Sequence, residues 1–251
     1  MLITGRTDKG LTRQNNQDTF AAGEIAGGCY TVVCDGMGGQ QGGEVASELA
    51  CGSVAAAIQR DFSTPVGGEA GAAWIRGTLD AAVQAANREV FERGEADESL
   101  SGMGTTIVAV LIVGHTAYIL HAGDSRVYLF RQGELTRLTT DHTMVQMLLE
   151  RGDITETESR THPQRHYITR ALGVAPQVEC EFTVVDLTPG DVLLVCTDGL
   201  YNFVIPDALR SLMELAVVDG SADNLIEAAN AGGGGDNITA VLIGRGGEVD
   251  A

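Results

Sequence analysis

Three β-branched runs follow one another within residues 105–130: TTIVAVLIV (105–113), TAYILHAGD (116–124) and RVYLF (126–130). Only Gly114 and His115 separate the first two, and only Ser125 the next. Parallel neighbours need a crossover of a dozen or more residues, so these strands must run antiparallel, the first pair as a tight hairpin. Further short runs bounded by Gly or Asp are YTVVCD (30–35), FTVVDL (182–187), DVLLVCTDG (191–199) and NITAVLIG (237–244). Helical periodicity falls at 43–62 and 73–93, with shorter stretches at 143–151, 206–216 and 221–230. This order argues against a doubly wound parallel sheet. It predicts an α+β chain of mainly antiparallel sheets with helices packed outside.

No linker or repeat divides the 251 residues, so a single domain spanning 1–251 is expected. The five cysteines (29, 34, 51, 180, 196) form no C-x-x-C pair and read as reduced, structural thiols, which argues against zinc-thiolate sites. A net charge of −18, with Lys9 the only lysine, disfavours nucleic acid and anionic membrane surfaces. It leaves room for a phosphorylated substrate, because one well-placed Arg and bound cations reverse the sign locally. The opening MLITGRTDKG lacks a basic segment followed by an apolar one, and no apolar run approaches bilayer length. A cytoplasmic chain without membrane insertion is expected.

The aspartates carry the chemistry. Asp35 ends YTVVC, Asp124 ends TAYILHAG, Asp198 ends DVLLVCT, and Asp236 precedes NITAVLI; Asp18 lies in RQNNQD. Asp-Gly alone is a favoured turn dipeptide, and VVDG at 217–220 reads as an ordinary turn of this kind. Several such carboxylates gathered at the ends of separate strands would repel one another unless cations neutralised them. Oxygen-only ligation suits Mg²⁺ or Mn²⁺. Two such ions sharing a carboxylate would activate water for attack at phosphorus, with an Arg clamping phosphate oxygens; Arg13 is the candidate.

The stretches R-x-x-N-Q-D (13–18), VVCDGMGG (32–39), GEVAS (43–47), MGTT (103–106) and AGDSRVY (122–128) occur in order along the chain. LTTDHT (138–143), HPQRHYITRALG (162–173), CTDGL (196–200) and GGDNIT (234–239) follow. Together they resemble the successive motifs of the protein phosphatase 2C (PP2C, PPM) family of metal-dependent Ser/Thr protein phosphatases, in its bacterial form. The resemblance implies an αββα sandwich, two mainly antiparallel sheets flanked by helix pairs. It implies that Asp35 bridges two Mn²⁺ or Mg²⁺ ions, with the Gly36 carbonyl on one of them and Asp198 and Asp236 as further ligands. Asp18 would act through a metal-bound water, Arg13 would bind substrate phosphate, and residues 139–175 would form a flap beside the site. Asp124, sharing Asp198, would help bind a third ion; the competing reading makes Asp124 an acceptor that orders the AGDSR turn.

The implied reaction is direct hydrolysis of phosphoserine or phosphothreonine in proteins by a metal-activated water. The implied partners are phosphorylated proteins and a cognate Ser/Thr kinase, the chain itself being a monomer. His162 and His166 stand four apart, but Pro163 interrupts the helix a metal pair would need, so a structural or substrate-facing role is expected. Eukaryotic relatives often have His where this chain has Met37, and bacterial relatives often have His where it has Gln40. A thioether supplies no proton, so the general acid stays unassigned. The alternatives are a non-catalytic member that binds a phosphorylated partner, which predicts loss of a ligand or of Arg13, and a Ca²⁺ module. The chain lacks the contiguous D-x-D-x-D-G loop that a Ca²⁺ module would need.

Overall fold

Alternation along the strands sorts their side chains into three layers of core. The computed structural model describes residues 1–39, 41–65, 71–159 and 161–244. In chain order the first half contains β1 (Leu2–Asp8), β2 (Asp18–Ile25), β3 (Gly28–Met37), α1 (Gly42–Asp61), α2 (Ala72–Ala96), β4 (Gly104–Thr105), β5 (Ile107–Val113) and β6 (Thr116–Ala122). Next come β7 (Arg126–Arg131), β8 (Glu134–Arg137), α3 (Met144–Arg151), α4 (Glu156–Ser159), β9 (Glu181–Asp186) and β10 (Val192–Cys196). The chain closes with α5 (Asp198–Tyr201), α6 (Pro206–Asp219), α7 (Asp223–Ala231) and β11 (Ile238–Gly244). One sheet has the order β1-β11-β10-β7-β8; the other runs β2-β3-β5-β6-β9, with β4 paired to β3. Neighbours in both sheets pair antiparallel.

On β3, Cys29 and Val33 face the other sheet while Tyr30, Val32 and Cys34 face the helices. The same split places Leu193 and Val195 of β10 between the sheets, and Leu194 and Cys196 against the helices. Because these central strands are buried on both faces, they read as continuous apolar runs. On one outer side, α1 presents Ala46, Ala50, Val54 and Ile58, and α2 presents Ile75, Leu79, Val83, Ala86 and Val90. These spacings of three and four put each set on one helix face. On the other side, α6 and α7 bury Leu209, Met213, Leu225 and Ile226. The result is the expected αββα sandwich.

The hairpin forms as its length requires: Val113 pairs with Thr116, and Gly114 takes the left-handed turn at φ 59. Three strands escape the sequence pattern, β1, β2 and β8, and all three are edge strands. Their positions are mostly half-buried or exposed, so no apolar run or clean alternation marks them. VVDG at 217–220 corrects the sequence reading: Val217, Val218 and Asp219 are the last residues of α6, and Gly220 at φ 62 is its left-handed cap. Residues 139–175, inserted between β8 and β9, carry only the short α3 and α4, and bridges Thr143–Ile168 and Thr105–Leu172 close their base.

Ile119 lies fully buried between the sheets, whereas Val218 is 84% exposed on α6. Ile119→Ala is expected to lower unfolding stability by about 2–5 kcal/mol. Val218→Ala should change it by less than about 0.5 kcal/mol. Urea denaturation midpoints measure both.

Candidate metal centre

The site lies where the layer between the sheets stops being apolar. Asp35 follows Val33 by two residues on β3, so its side chain is aimed into that inter-sheet layer. Asp18 pairs directly with Asp35, and Phe20 and Ala22, on the same face of β2, pack into the layer. From the opposite sheet, Leu193 and Val195 lead to Thr197, and Ile243 and Val241 lead back to Thr239. The Thr197 and Thr239 hydroxyls donate to Asp18 Oδ2 at 2.8 and 2.7 Å. Asp18 Oδ1 is buried without a partner among the described residues, and so is Asp124 Oδ1.

The carboxylates are not all at strand ends, as their sequence positions suggest. Asp35 sits inside β3, which continues through Gly36 and Met37 to pair with β4. The Asp35 N–H donates to Thr106 Oγ1 at 3.0 Å, and its carbonyl accepts from Thr106 N and Thr105 Oγ1 at 2.8 and 2.9 Å. Asp18 opens β2, Asp198 opens α5, Asp124 lies in the turn after β6, and Asp236 lies in the loop before β11. Gly36 is needed for close approach: a Cβ there would stand 2.0 Å from the Gly43 carbonyl oxygen and 2.7 Å from that of Gln17.

Burial, then repulsion from Asp18, Asp198, Asp124 and Asp236, holds the Asp35 carboxyl well above the usual carboxylate range. Asp198 is raised in the same way, by burial and then by Asp124, Asp236 and Asp18. Burial pushes Asp18 up to about 7 against the opposing threonine hydrogen bonds. Burial, then Asp141, pushes Asp124 up to about 6. Each of these shifts states that negative charge is held where water cannot screen it, which a divalent cation would relieve. The donor set is oxygen alone, and the orphaned Asp18 and Asp124 oxygens offer further acceptors, so the residues fit Mg²⁺ or Mn²⁺. Among the described residues no three aspartates bring ligand oxygens within 4.8 Å of one another, so sharing one ion requires them to turn inward.

Arg13 stands at the rim. Its Nη2 donates to Asp236 Oδ2 at 2.8 Å, and its side chain is half-exposed. Asp236 Oδ1 accepts from the Asn237 N–H at 2.9 Å, and Asp198 Oδ2 accepts from Asn202 at 3.0 Å. Asp124 is held through its backbone: Tyr201, on the helix that Asp198 opens, donates its hydroxyl to the Asp124 carbonyl at 3.0 Å. The Arg126 guanidinium lies 3.4 Å from the Tyr201 ring centroid and pairs with Asp141, near the start of the segment 139–175, at 2.6 Å. The sequence reading quoted AGDSRVY and LTTDHT but missed the contact between their charged residues. Spacing along the chain gives no sign of it.

A second group was also missed. His121, His142 and Glu181 bring one ligand atom each within 4.8 Å of one another. The two imidazoles stack at 4.7 Å with planes 7° apart, so their in-plane lone pairs cannot converge on one ion. His142 Nδ1 accepts from the Gly123 N–H at 3.1 Å, which leaves the proton on Nε2, where it faces Glu181 Oε1 at 3.2 Å. This cluster ties the start of the segment 139–175 to β6 and β9. His162 is half-buried and His166 exposed, and His162 Nδ1 accepts from the Gln164 N–H within a turn. Gln40 lies outside the described residues.

Unfolded Asp titrates near about 4. The folded values of about 7 for Asp18 and about 6 for Asp124 mean that the native state binds more protons between those limits. Their contribution to stability is therefore present at pH about 4 and is lost as pH rises through about 6 to 7. Without divalent cations the melting temperature is expected to fall by several degrees from pH 5 to pH 8. Saturating Mn²⁺ should shrink that fall, and scanning calorimetry at the two pH values measures it.

The profile of the family described as Protein phosphatase 2C matches residues 11–225. The serine/threonine protein phosphatase PstP of Mycobacterium tuberculosis is 42% identical over 237 residues, covering 94% of this chain; the chain spans 43% of the length of PstP. The serine/threonine phosphatase stp of Listeria monocytogenes is 36% identical over 242 residues, covering 96% of this chain and 94% of stp. The structure of the catalytic domain of PstP in complex with two manganese ions superposes with a TM-score of 0.81 at 40% identity, covering 96% of each chain. A profile match over most of the chain, relatives of this similarity and a shared fold agree with the aspartate centre, and the chain belongs to the protein phosphatase 2C family.

Proposed function

We propose that the chain hydrolyses phosphoserine and phosphothreonine in proteins, using two Mn²⁺ or Mg²⁺ ions and a metal-activated water. The observation that carries this reading is the set of buried and half-buried aspartates around Asp35, in which Asp18, Asp198, Asp124 and Asp236 all raise the cost of charging Asp35, beside a reachable Arg13. Asp35 would be shared by the two ions, with the Gly36 carbonyl, Asp198 and Asp236 completing the protein ligands. Asp124 and Asp198 would hold a third ion, and the free Asp18 Oδ1 would orient a water ligand. When bound, the ions supply Lewis acidity toward phosphoryl oxygens and lower the pKa of a water for direct attack at phosphorus.

Arg13 does the anionic recognition. Its planar guanidinium exchanges Asp236 for two phosphate oxygens and neutralises charge that grows as the phosphorus–oxygen bond breaks. The cysteines stay out of the chemistry: all five are free, and Cys34, which precedes Asp35, is fully buried with its thiol pushed up by that burial. A non-catalytic phosphoprotein-binding member is expected to lose part of this set, yet Arg13, Asp18, Asp35, Asp198 and Asp236 are all present in the chain. The partners would be phosphorylated proteins and the Ser/Thr kinase that modifies them, met by a monomer in the cytoplasm. Among the described residues no helix is long and apolar enough to cross a membrane.

Phosphate release from a phosphothreonine peptide with Mn²⁺ tests the reaction. Activity should vanish with chelator and in Asp35→Asn; activity that survives either would sink the two-metal reading. Asp124→Ala should lose turnover roughly 10- to 100-fold while calorimetry still counts two tightly bound ions. Loss of those ions as well would make Asp124 a structural acceptor.

A further inference from the structure

The segment Lys9–Gln17, which carries Arg13 near its middle, lies outside any helix or strand between β1 and β2. Its position is set by bonds to the other end of the chain. Leu11 N donates to the Gly234 carbonyl at 2.7 Å and Thr12 Oγ1 to that of Gly235 at 2.8 Å. The approach is close enough that a Cβ at Gly10, which holds φ +74, would stand 2.1 Å from the Asp236 carbonyl oxygen.

One side chain joins both stems of this loop. Asn237, only 6% exposed, donates through Nδ2 to the Lys9 carbonyl at 3.0 Å and to the Asn15 carbonyl at 2.9 Å. Its Oδ1 accepts from the Gln17 N–H at 2.8 Å. The entry stem and the exit stem are thus clamped by a single amide, with Arg13 between them. The Gln17 carbonyl in turn accepts from Gly36 N at 3.0 Å, so the clamp reaches the strand that carries Asp35. No other side chain of this size offers two donors and an acceptor in one plane; a carboxylate would keep the acceptor and set negative oxygens against two carbonyls.

We propose that Asn237 is the positioning residue of the phosphate-binding loop, setting the distance between the Arg13 guanidinium and the aspartate centre. It touches neither substrate nor cation; it acts by holding the loop closed, so that Arg13 is ordered before phosphate arrives. This rests on the reading of Arg13 as the phosphate-binding group.

The test compares Asn237→Ala, Asn237→Asp and Arg13→Ala in the Mn²⁺-loaded protein. The readouts are kcat and KM on a phosphothreonine peptide, Mn²⁺ stoichiometry by calorimetry, and amide hydrogen exchange. Asn237→Asp keeps the side-chain shape and the Gln17 bond, so it serves if the alanine variant fails to fold. Both Asn237 variants should raise KM about 10-fold with a smaller change in kcat, keep the Mn²⁺ count, and speed exchange within residues 9–17. A raised KM in Arg13→Ala beside an unchanged KM in the Asn237 variants would overturn the positioning role alone. Loss of Mn²⁺, or faster exchange spread through β11, would overturn it too. An unchanged KM in Arg13→Ala would overturn the phosphate role of Arg13, and the positioning role with it.

Discussion

The two sheets meet across a dry apolar layer, and everything at the site depends on where that layer ends. Strand alternation admits only every second residue into the layer, and at one end the admitted positions switch from Val, Ile and Phe to Asp18, Asp35, Thr197 and Thr239. A carboxylate aimed between sheets cannot be solvated as it would be on a loop, so its charge has to be matched by something that enters the cleft. The sandwich therefore does more than support the aspartates. It limits the water that reaches them, burying Asp18 and Asp124 and half-burying Asp35 and Asp198.

The rim is built on another principle. Asp236 and Arg13 sit on irregular backbone and trade partners, while Asp124 is fastened through its own carbonyl by Tyr201. The Arg126–Asp141 pair then ties the Asp124 turn to the first residues of the segment 139–175, and His142 ties it again through Gly123. The Thr143–Ile168 bridge joins the two sides of that segment.

How much of this was legible depends on the range of each signal. The central strands, the hairpin at 114–115 and both long helices followed from local periodicity, because double-sided burial leaves an unmistakable apolar run. Edge strands β1, β2 and β8 were silent for the opposite reason: a strand wetted on one side carries little hydrophobic pattern. Asp35, Asp198 and Asp236 stood out by their place beside strands, and the run of motifs then assigned them roles. Thr197, Thr239, Asn237 and the Tyr201–Arg126–Asp141 contact did not stand out, since their meaning lies in pairings across more than a hundred residues or in side-chain directions that spacing does not encode. VVDG misled because a helix cap and a strand turn ask the same thing of glycine.

The place of β11 has a consequence for how such a chain comes into being. It lies between β1 and β10, so the first strand of the sequence has the last one as its only neighbour in its sheet. During synthesis β1 must wait until β11 has been made, and Asp18 must wait for Thr239. Such long-range closure is slow compared with hairpin formation. A nascent chain that already displays β3 through β7 therefore holds only part of its acidic centre, with no second sheet edge to complete it.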